Sequence, residues 1–254
     1  MNDLEGFARF ETPRGFALIC ESLFEEIRES GLLEPWSILA DSERTIRGTG
    51  RGPRALIEVG GGRVILLKQY LRGGWPAKLN AARYASPLRF LAEAKVGRDA
   101  LVAGLPVVPM AGVVLRRARP GWNAWGMSLL WENAFDLARW LTGRTPGRDG
   151  VSDPDAVWAS AMKAVAEVFS GGLYHRDLNL GNLIVREAVG EGAFEARVID
   201  LDRAVFFSAS LAGRLRARVC RRIERSYLKV CGADGPISAS RRREDYRRLT
   251  EIGR

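Results

Sequence analysis

The stretch YHRDLNLGNLIVREAVGEGAFEARVIDLD, residues 174–202, decides how this chain reads. It contains the chain's single histidine, His175, followed at once by Arg176 and Asp177. Asn182 stands five residues after Asp177 and opens a β-rich run at 183–185. A polar turn at 190–192 leads to a second β-rich run at 197–200, and Asp200 and Asp202 close the stretch. H-R-D-L-x-x-x-N, then a hairpin, then an aspartate is the arrangement of a phosphoryl-transfer site.

The chemistry explains the residue types. Moving a γ-phosphoryl group from ATP to a hydroxyl needs positioning and charge neutralisation more than covalent help. Asp177 would accept the proton of the attacking hydroxyl. Asn182 and Asp200 offer hard oxygen ligands suited to a Mg²⁺ that bridges phosphate oxygens. A hairpin between them would return both to one edge of the site, and His175 would hold the loop by packing and hydrogen bonding. Each residue alone has a plainer reading: a satisfied histidine beside Tyr174, two turn residues favoured by Asx hydrogen bonds, and a strand-end aspartate. The order of all four around a strand pair carries the phosphotransfer reading.

Working outward, the segment at 153–170 reads as a helix with Asp153 as N-cap and Pro154 in the first turn. Gly171 and Gly172 stop it and deliver the chain into the 174–202 stretch. Upstream, 136–141 reads as helical, and 142–153 as an exposed loop. Apolar strands are expected at 107–115 and 125–131; the second ends at Glu132, where a connector would offer groups to an adenine ring. Residues 86–103 read as a helix carrying Glu93. The region 44–70 reads as three antiparallel strands with Lys68 on the third. Gly48, Gly50 and Gly52 lie between the first two and would let backbone approach phosphates; Pro53 breaks G-x-G-x-x-G, and for the glycines on their own a plain hairpin turn is the better account. Phe16, Ile19, Leu23, Phe24 and Ile27 predict an amphipathic helix over 16–30, ended by Gly31. Downstream, Leu211, Leu215, Val219, Ile223, Tyr227 and Val230 fall at helical spacing, with Arg214, Arg218, Arg221, Arg222, Arg225 and Lys229 mostly on the other faces.

Composition bounds these readings. The chain has 254 residues, 46% apolar and 27% charged, which suits a globular protein in two lobes. Lacking 18 consecutive apolar residues, it is expected to have no membrane-spanning helix, and its acidic first residues do not read as a secretory signal. Cys20, Cys220 and Cys231 are odd in number and widely spaced, as expected of reduced thiols in the cytoplasm. Residues 203–254 hold 14 Lys and Arg against 5 Asp and Glu, so the whole net charge of +9 resides there. A neutral body with a basic end implies an anionic partner.

The sequence resembles the bacterial lipopolysaccharide kinases, the 3-deoxy-D-manno-octulosonic acid (Kdo) kinases and their heptose-kinase relatives. The resemblance covers roughly residues 45–230. It rests on LKQYLRGG at 67–74, Glu93 ahead of GLPV at 104–107, YHRDLNLGNLIV at 174–185 and VIDLDRA at 198–204. It implies a two-lobed, protein-kinase-like α+β fold, with an antiparallel sheet and a helix in an N-terminal lobe (1–132) and a mostly helical C-terminal lobe (133–254). It implies ATP-dependent phosphorylation of a hydroxyl on Kdo attached to lipid A, at the cytoplasmic face of the inner membrane. Asp177 is then the base, Asn182 and Asp200 hold Mg²⁺, and Lys68 with Glu93 serves the ATP phosphates. The expected partners are the lipid A-linked sugar and an anionic membrane surface, with no nucleic acid and no obligate protein partner. No A-P-E motif follows Asp202, which argues against a protein substrate. Rival readings are a kinase of heptose, an aminoglycoside or choline, and a silent kinase-like module binding nucleic acid. Intact Asp177, Asn182 and Asp200 oppose the silent module, and few aromatics interleave the arginines as a stacking platform would require.

Overall fold

The computed structural model describes residues 4–41, 45–46, 52–71, 82–145, 153–188 and 193–251. Gly48, Gly50 and the turn at 72–74 lie outside the described residues. The chain divides into two compact units, one of residues up to 98 together with 109–130, the other of 99–108 together with 131 onward.

The first unit is built on one seven-stranded sheet. Its strands are β1 (Phe7–Thr12), β2 (Gly15–Cys20), β3 (Thr45–Ile46), β4 (Arg54–Val59), β5 (Arg63–Gln69), β6 (Met110–Arg117) and β7 (Trp122–Leu129). Their order is β1-β2-β6-β7-β5-β4-β3, and every pairing is antiparallel. Helices α1 (Phe24–Glu29) and α2 (Pro35–Ala40) supply Ile27 and Ile38 to one core, together with Ala17 and Ile19 of β2. Helix α3 (Leu88–Val102) supplies Phe90 and Ala94 to a second core, together with Phe16 and Leu18.

That division corrects the expected helix over 16–30. Phe16, Ala17, Leu18 and Ile19 are all buried, alternate residues in opposite cores. A strand buried on both faces reads as an unbroken apolar run, which periodicity alone cannot separate from a helix. Helix begins only at Phe24, after a single 3₁₀ turn. The hairpin partner β1 went unread, because only Phe7 of its six residues is buried. The strands at 45–70 and the helix carrying Glu93 follow the expectation. The strands expected at 107–115 and 125–131 are shifted, to Met110–Arg117 and Trp122–Leu129.

The second unit contains β8 (Phe135–Asp136), α4 (Leu137–Leu141), α5 (Pro154–Ser170), β9 (Leu173–Tyr174), β10 (Leu183–Glu187), β11 (Phe194–Val198), β12 (Val205–Phe206), α6 (Gly213–Cys231) and α7 (Ala239–Glu251). Asp153 caps α5 as expected, accepting from the Ala156 N–H at 2.9 Å. Trp158 of α5 is buried, donates to Asp245 Oδ2 of α7 at 2.9 Å and meets Tyr227 of α6 edge-on at 5.7 Å. Two arginines in this region are interior rather than surface residues. Arg216 donates to the Leu211 carbonyl at 2.7 Å, and Arg242 forks onto Glu224 at 2.9 and 3.1 Å. Val230, placed on the apolar stripe of α6, is exposed instead. It lies in the last turn of the helix, beyond Tyr227, the last buried residue of that stripe.

Gly15 marks the closest approach in the sheet: a Cβ there would stand 1.9 Å from the Leu115 carbonyl oxygen of β6. At Gly213, the first residue of α6, the nearest atom would be 3.5 Å away. Gly15→Ala is therefore expected to destabilise by about 1–3 kcal/mol through backbone displacement. Gly213→Ala should be neutral or stabilising by up to about 1 kcal/mol. Urea unfolding followed by circular dichroism separates the two, and equal effects would contradict the packing.

Candidate active site

The loop at 174–182 is held by its apolar residues. Leu178, Leu180 and Leu183 are fully buried, which leaves Arg176 and Asp177 exposed and Asn182 half-buried. Asn179 shapes the turn locally. Its Oδ1 accepts from the Gly181 N–H at 2.8 Å and its Nδ2 donates to the Asp177 carbonyl at 2.7 Å.

A closed hydrogen-bond circuit then joins the loop to the end of the hairpin. The Asp177 N–H donates to His175 Nδ1 at 3.1 Å, and His175 Nε2 meets the Ile199 carbonyl at 3.1 Å. The Ile199 N–H donates to the Asn182 carbonyl at 3.0 Å, and Asn182 Nδ2 returns to the Asp177 carbonyl at 3.0 Å. Since Nδ1 accepts, Nε2 must carry the proton and donate, so the ring is a neutral imidazole of one defined tautomer. Burial, with 1% of His175 exposed, pushes its pKa below the ordinary value and favours that form.

The circuit sets Asp200 beside Asn182. Leu183 pairs with Val198 at the last rung of the β10–β11 ladder, so Asn182 and Ile199 flank that rung and Asp200 follows. Asp200 is exposed and has φ 61°, in the left-handed region that Asp tolerates better than most residues. With its Nδ2 spent on the loop, Asn182 keeps its side-chain oxygen for another partner. Two hard oxygen donors at one hairpin end fit a Mg²⁺ that takes its other ligands from phosphates and water.

In the first unit, Lys68 Nζ lies 4.0 Å from Glu93 Oε1, with the side chains 22% and 6% exposed. Lys68 also stands 4.9 Å over the Tyr70 ring, which packs on Phe90 of α3 at 4.7 Å. Gly126 on β7 makes room for that ring: a Cβ there would lie 2.7 Å from the Tyr70 hydroxyl. Gly52 heads β4 at φ 95°, and Glu132 is exposed in the turn after Trp131.

Two contacts escaped the sequence reading. Arg222 of α6, assigned to an outward basic face, places Nη1 2.7 Å from Asp177 Oδ1. One turn further along α6, Ser226 Oγ accepts from the Leu180 N–H at 3.3 Å. Each lies more than 40 residues from the loop residue it touches, and no local spacing signals it.

Comparison with known proteins places this geometry in a class. The solved structure of WaaP in complex with acyl carrier protein shares the fold at a TM-score of 0.56 and 18% identity, covering 92% of this chain and 88% of that one. This is the protein-kinase-like α+β fold. Residues 44–251 match the lipopolysaccharide kinase (Kdo/WaaP) family, and the chain belongs to that family. It is 32% identical to the 3-deoxy-D-manno-octulosonic acid kinase of Xanthomonas axonopodis pv. citri, over 90% of this chain and 87% of the relative. It is equally 32% identical to the enzyme of that name from Xanthomonas oryzae pv. oryzae, over 96% and 92%. The protein is thus an enzyme, an ATP-using phosphotransferase.

The neutral histidine gives a pH dependence of stability. The folded pKa lies below the ordinary 6.5, so the unfolded chain protonates first as pH falls. The stabilisation is complete above about 6.5 and is lost below it, at up to about 1.4 kcal/mol per pH unit, until the folded pKa is reached. In the nucleotide-free protein, the NMR signal of the single histidine should titrate below 6.5 and show the Nε2–H tautomer. A ring titrating at or above that value would contradict the buried circuit.

Proposed function

We propose that the protein transfers the γ-phosphoryl group of ATP to a hydroxyl of Kdo linked to lipid A. The observation that carries this reading is the hydrogen-bond circuit through His175, which holds Asp177, Asn182 and the start of the Asp200 turn in one arrangement. The choice of Kdo comes from the activity named for the Xanthomonas relatives. Asp177 accepts the proton of the attacking hydroxyl. Asn182 and Asp200 would hold Mg²⁺, which neutralises charge on phosphate oxygens when bound. Lys68, steadied by Glu93, binds the ATP phosphates, with Gly52 as a backbone contact and Glu132 serving the nucleotide; Gly48 and Gly50 lie outside the described residues. The membrane partner in this reading is an anionic surface engaged peripherally; no helix among the described residues is long and apolar enough to cross a bilayer.

Asp177→Asn should keep the fold and ATP binding and lower turnover on Kdo–lipid A by roughly 10²–10⁴-fold. Near-normal turnover would remove Asp177 from its role. Phosphate transfer to Kdo–lipid A, compared with heptosylated lipid A, an aminoglycoside, choline and RNA, tests the acceptor.

The membrane reading rests on exposed Arg214, Arg221 and Arg225 of α6, with exposed Leu228 and Val230 at its C-terminal end. Each basic side chain near an anionic surface contributes about 1 kcal/mol, screened within a Debye length. Converting those three arginines to glutamate should weaken sedimentation with anionic vesicles at low salt while leaving nucleotide affinity unchanged. Undiminished binding would leave the face an ordinary solvated surface.

A further inference from the structure

Arg222 differs from the other arginines that α6 and α7 commit to internal contacts. Arg216 and Arg242 are each 2% exposed and spend their donors on carbonyls, a hydroxyl and a carboxylate inside the unit. Arg222 and its partner Asp177 are 37% and 59% exposed. An ion pair so open to water contributes little to stability. Its position is nevertheless well determined, because the Ser226 contact docks the next turn of α6 on the same loop.

A guanidinium presents five N–H donors in a planar fork matched to carboxylates. Among the described residues, Arg222 uses one nitrogen, Nη1, on one oxygen, Asp177 Oδ1. Donors therefore remain on an accessible cation directly beside the accessible carboxylate proposed as base. The flanking positions of the same helix face are also basic: Arg218 lies four residues before Arg222 and Arg225 three after, and both are exposed.

We infer that Arg222 binds the carboxylate of the acceptor sugar through its remaining N–H edge while holding Asp177 through Nη1. This deepens the proposed function and rests on it: the acceptor is a sugar acid, and Asp177 is the base. One guanidinium then ties acid-group recognition to placement of the base. A hydroxyl is presented to Asp177 only when the sugar's own carboxylate is seated next to it. A neutral sugar has nothing to offer this donor edge, so Arg222 discriminates sugar acids from neutral sugars such as a heptose.

The test is a cycle over enzyme and acceptor. The parent, Arg222→Ala and Arg222→Lys are assayed with ATP on Kdo–lipid A and on the same acceptor with its carboxylate converted to the methyl amide. Circular dichroism confirms the fold of each variant. For the parent, the amide should raise the acceptor KM by at least tenfold. Arg222→Ala should raise KM for the carboxylate acceptor by a similar factor, leave KM for ATP unchanged, and no longer distinguish the two acceptors. Arg222→Lys, which keeps the charge but not the fork, should restore part of the preference. If Arg222→Ala still prefers the carboxylate by the parent's factor, the inference is wrong, whatever happens to kcat. If the parent does not phosphorylate Kdo–lipid A at all, the proposed function falls and takes this inference with it. Asp177→Asn, run on both acceptors, should lose kcat and keep the carboxylate preference in KM. Loss of the preference there would mean that Arg222 does not read the acid group independently of the base, and would overturn the assignment.

Discussion

The second unit's chemistry depends on keeping one imidazole uncharged. His175 accepts from the Asp177 N–H and donates to the Ile199 carbonyl, and it can do both only as a neutral ring. A proton on Nδ1 would set two donors against each other at the Asp177 amide. Burial outweighs the Ile199 carbonyl and the nearby charges of Asp200 and Asp177, all of which favour the cation. Desolvation disfavours the cation, and the geometry has no place for it. The reward is positional: Asp177 on the loop and the strand end that leads to Asp200 share one set of hydrogen bonds. Loops carry function well when their backbone groups are over-determined in this way.

A second constraint concerns how α6 divides its charges. One face buries Arg216, Val219, Ile223 and Tyr227, and the polar groups there are paired. Arg242 of α7 completes that interior by forking onto Glu224 and lying 4.0 Å over the Tyr227 ring. An arginine sealed this way serves packing and cannot reach a ligand. On α7, Arg247 and Arg248 are exposed but share Glu244, whose carboxyl they hold down at about 2. The basic surplus of the C-terminal fifth is therefore narrower than its composition suggests. It is concentrated on α6, where Arg214, Arg218, Arg221 and Arg225 are exposed.

The reach of the sequence follows from the range of each interaction. The circuit through His175 was legible because its members lie two and five residues apart on one loop, followed by a hairpin that any turn would close. The Asp153 cap and the helix it opens were legible for the same reason, since local hydrogen bonding leaves marks at fixed spacing. Lys68 and Glu93 were paired only through resemblance; nothing in 24 intervening residues predicts that β5 and α3 meet. Strand β2 was misread because its four apolar residues feed two cores at once, a fact of the sheet rather than of the segment.

Arg222 is the instructive miss. In sequence it is one of several arginines on an amphipathic helix, and an outward basic face is the ordinary fate of such residues. Only the docking of α6 on the loop, through Leu180 and Ser226, distinguishes it from Arg221 or Arg225. The motif thus supplies polar groups with local spacing, while the ion-pair partner of Asp177 arrives from a helix 45 residues away. That separation has a physical logic. The circuit lies within 175–199, and α6 meets that loop through two side chains, Arg222 on Asp177 and Ser226 on Leu180, so the rest of the helix surface can change without disturbing the circuit.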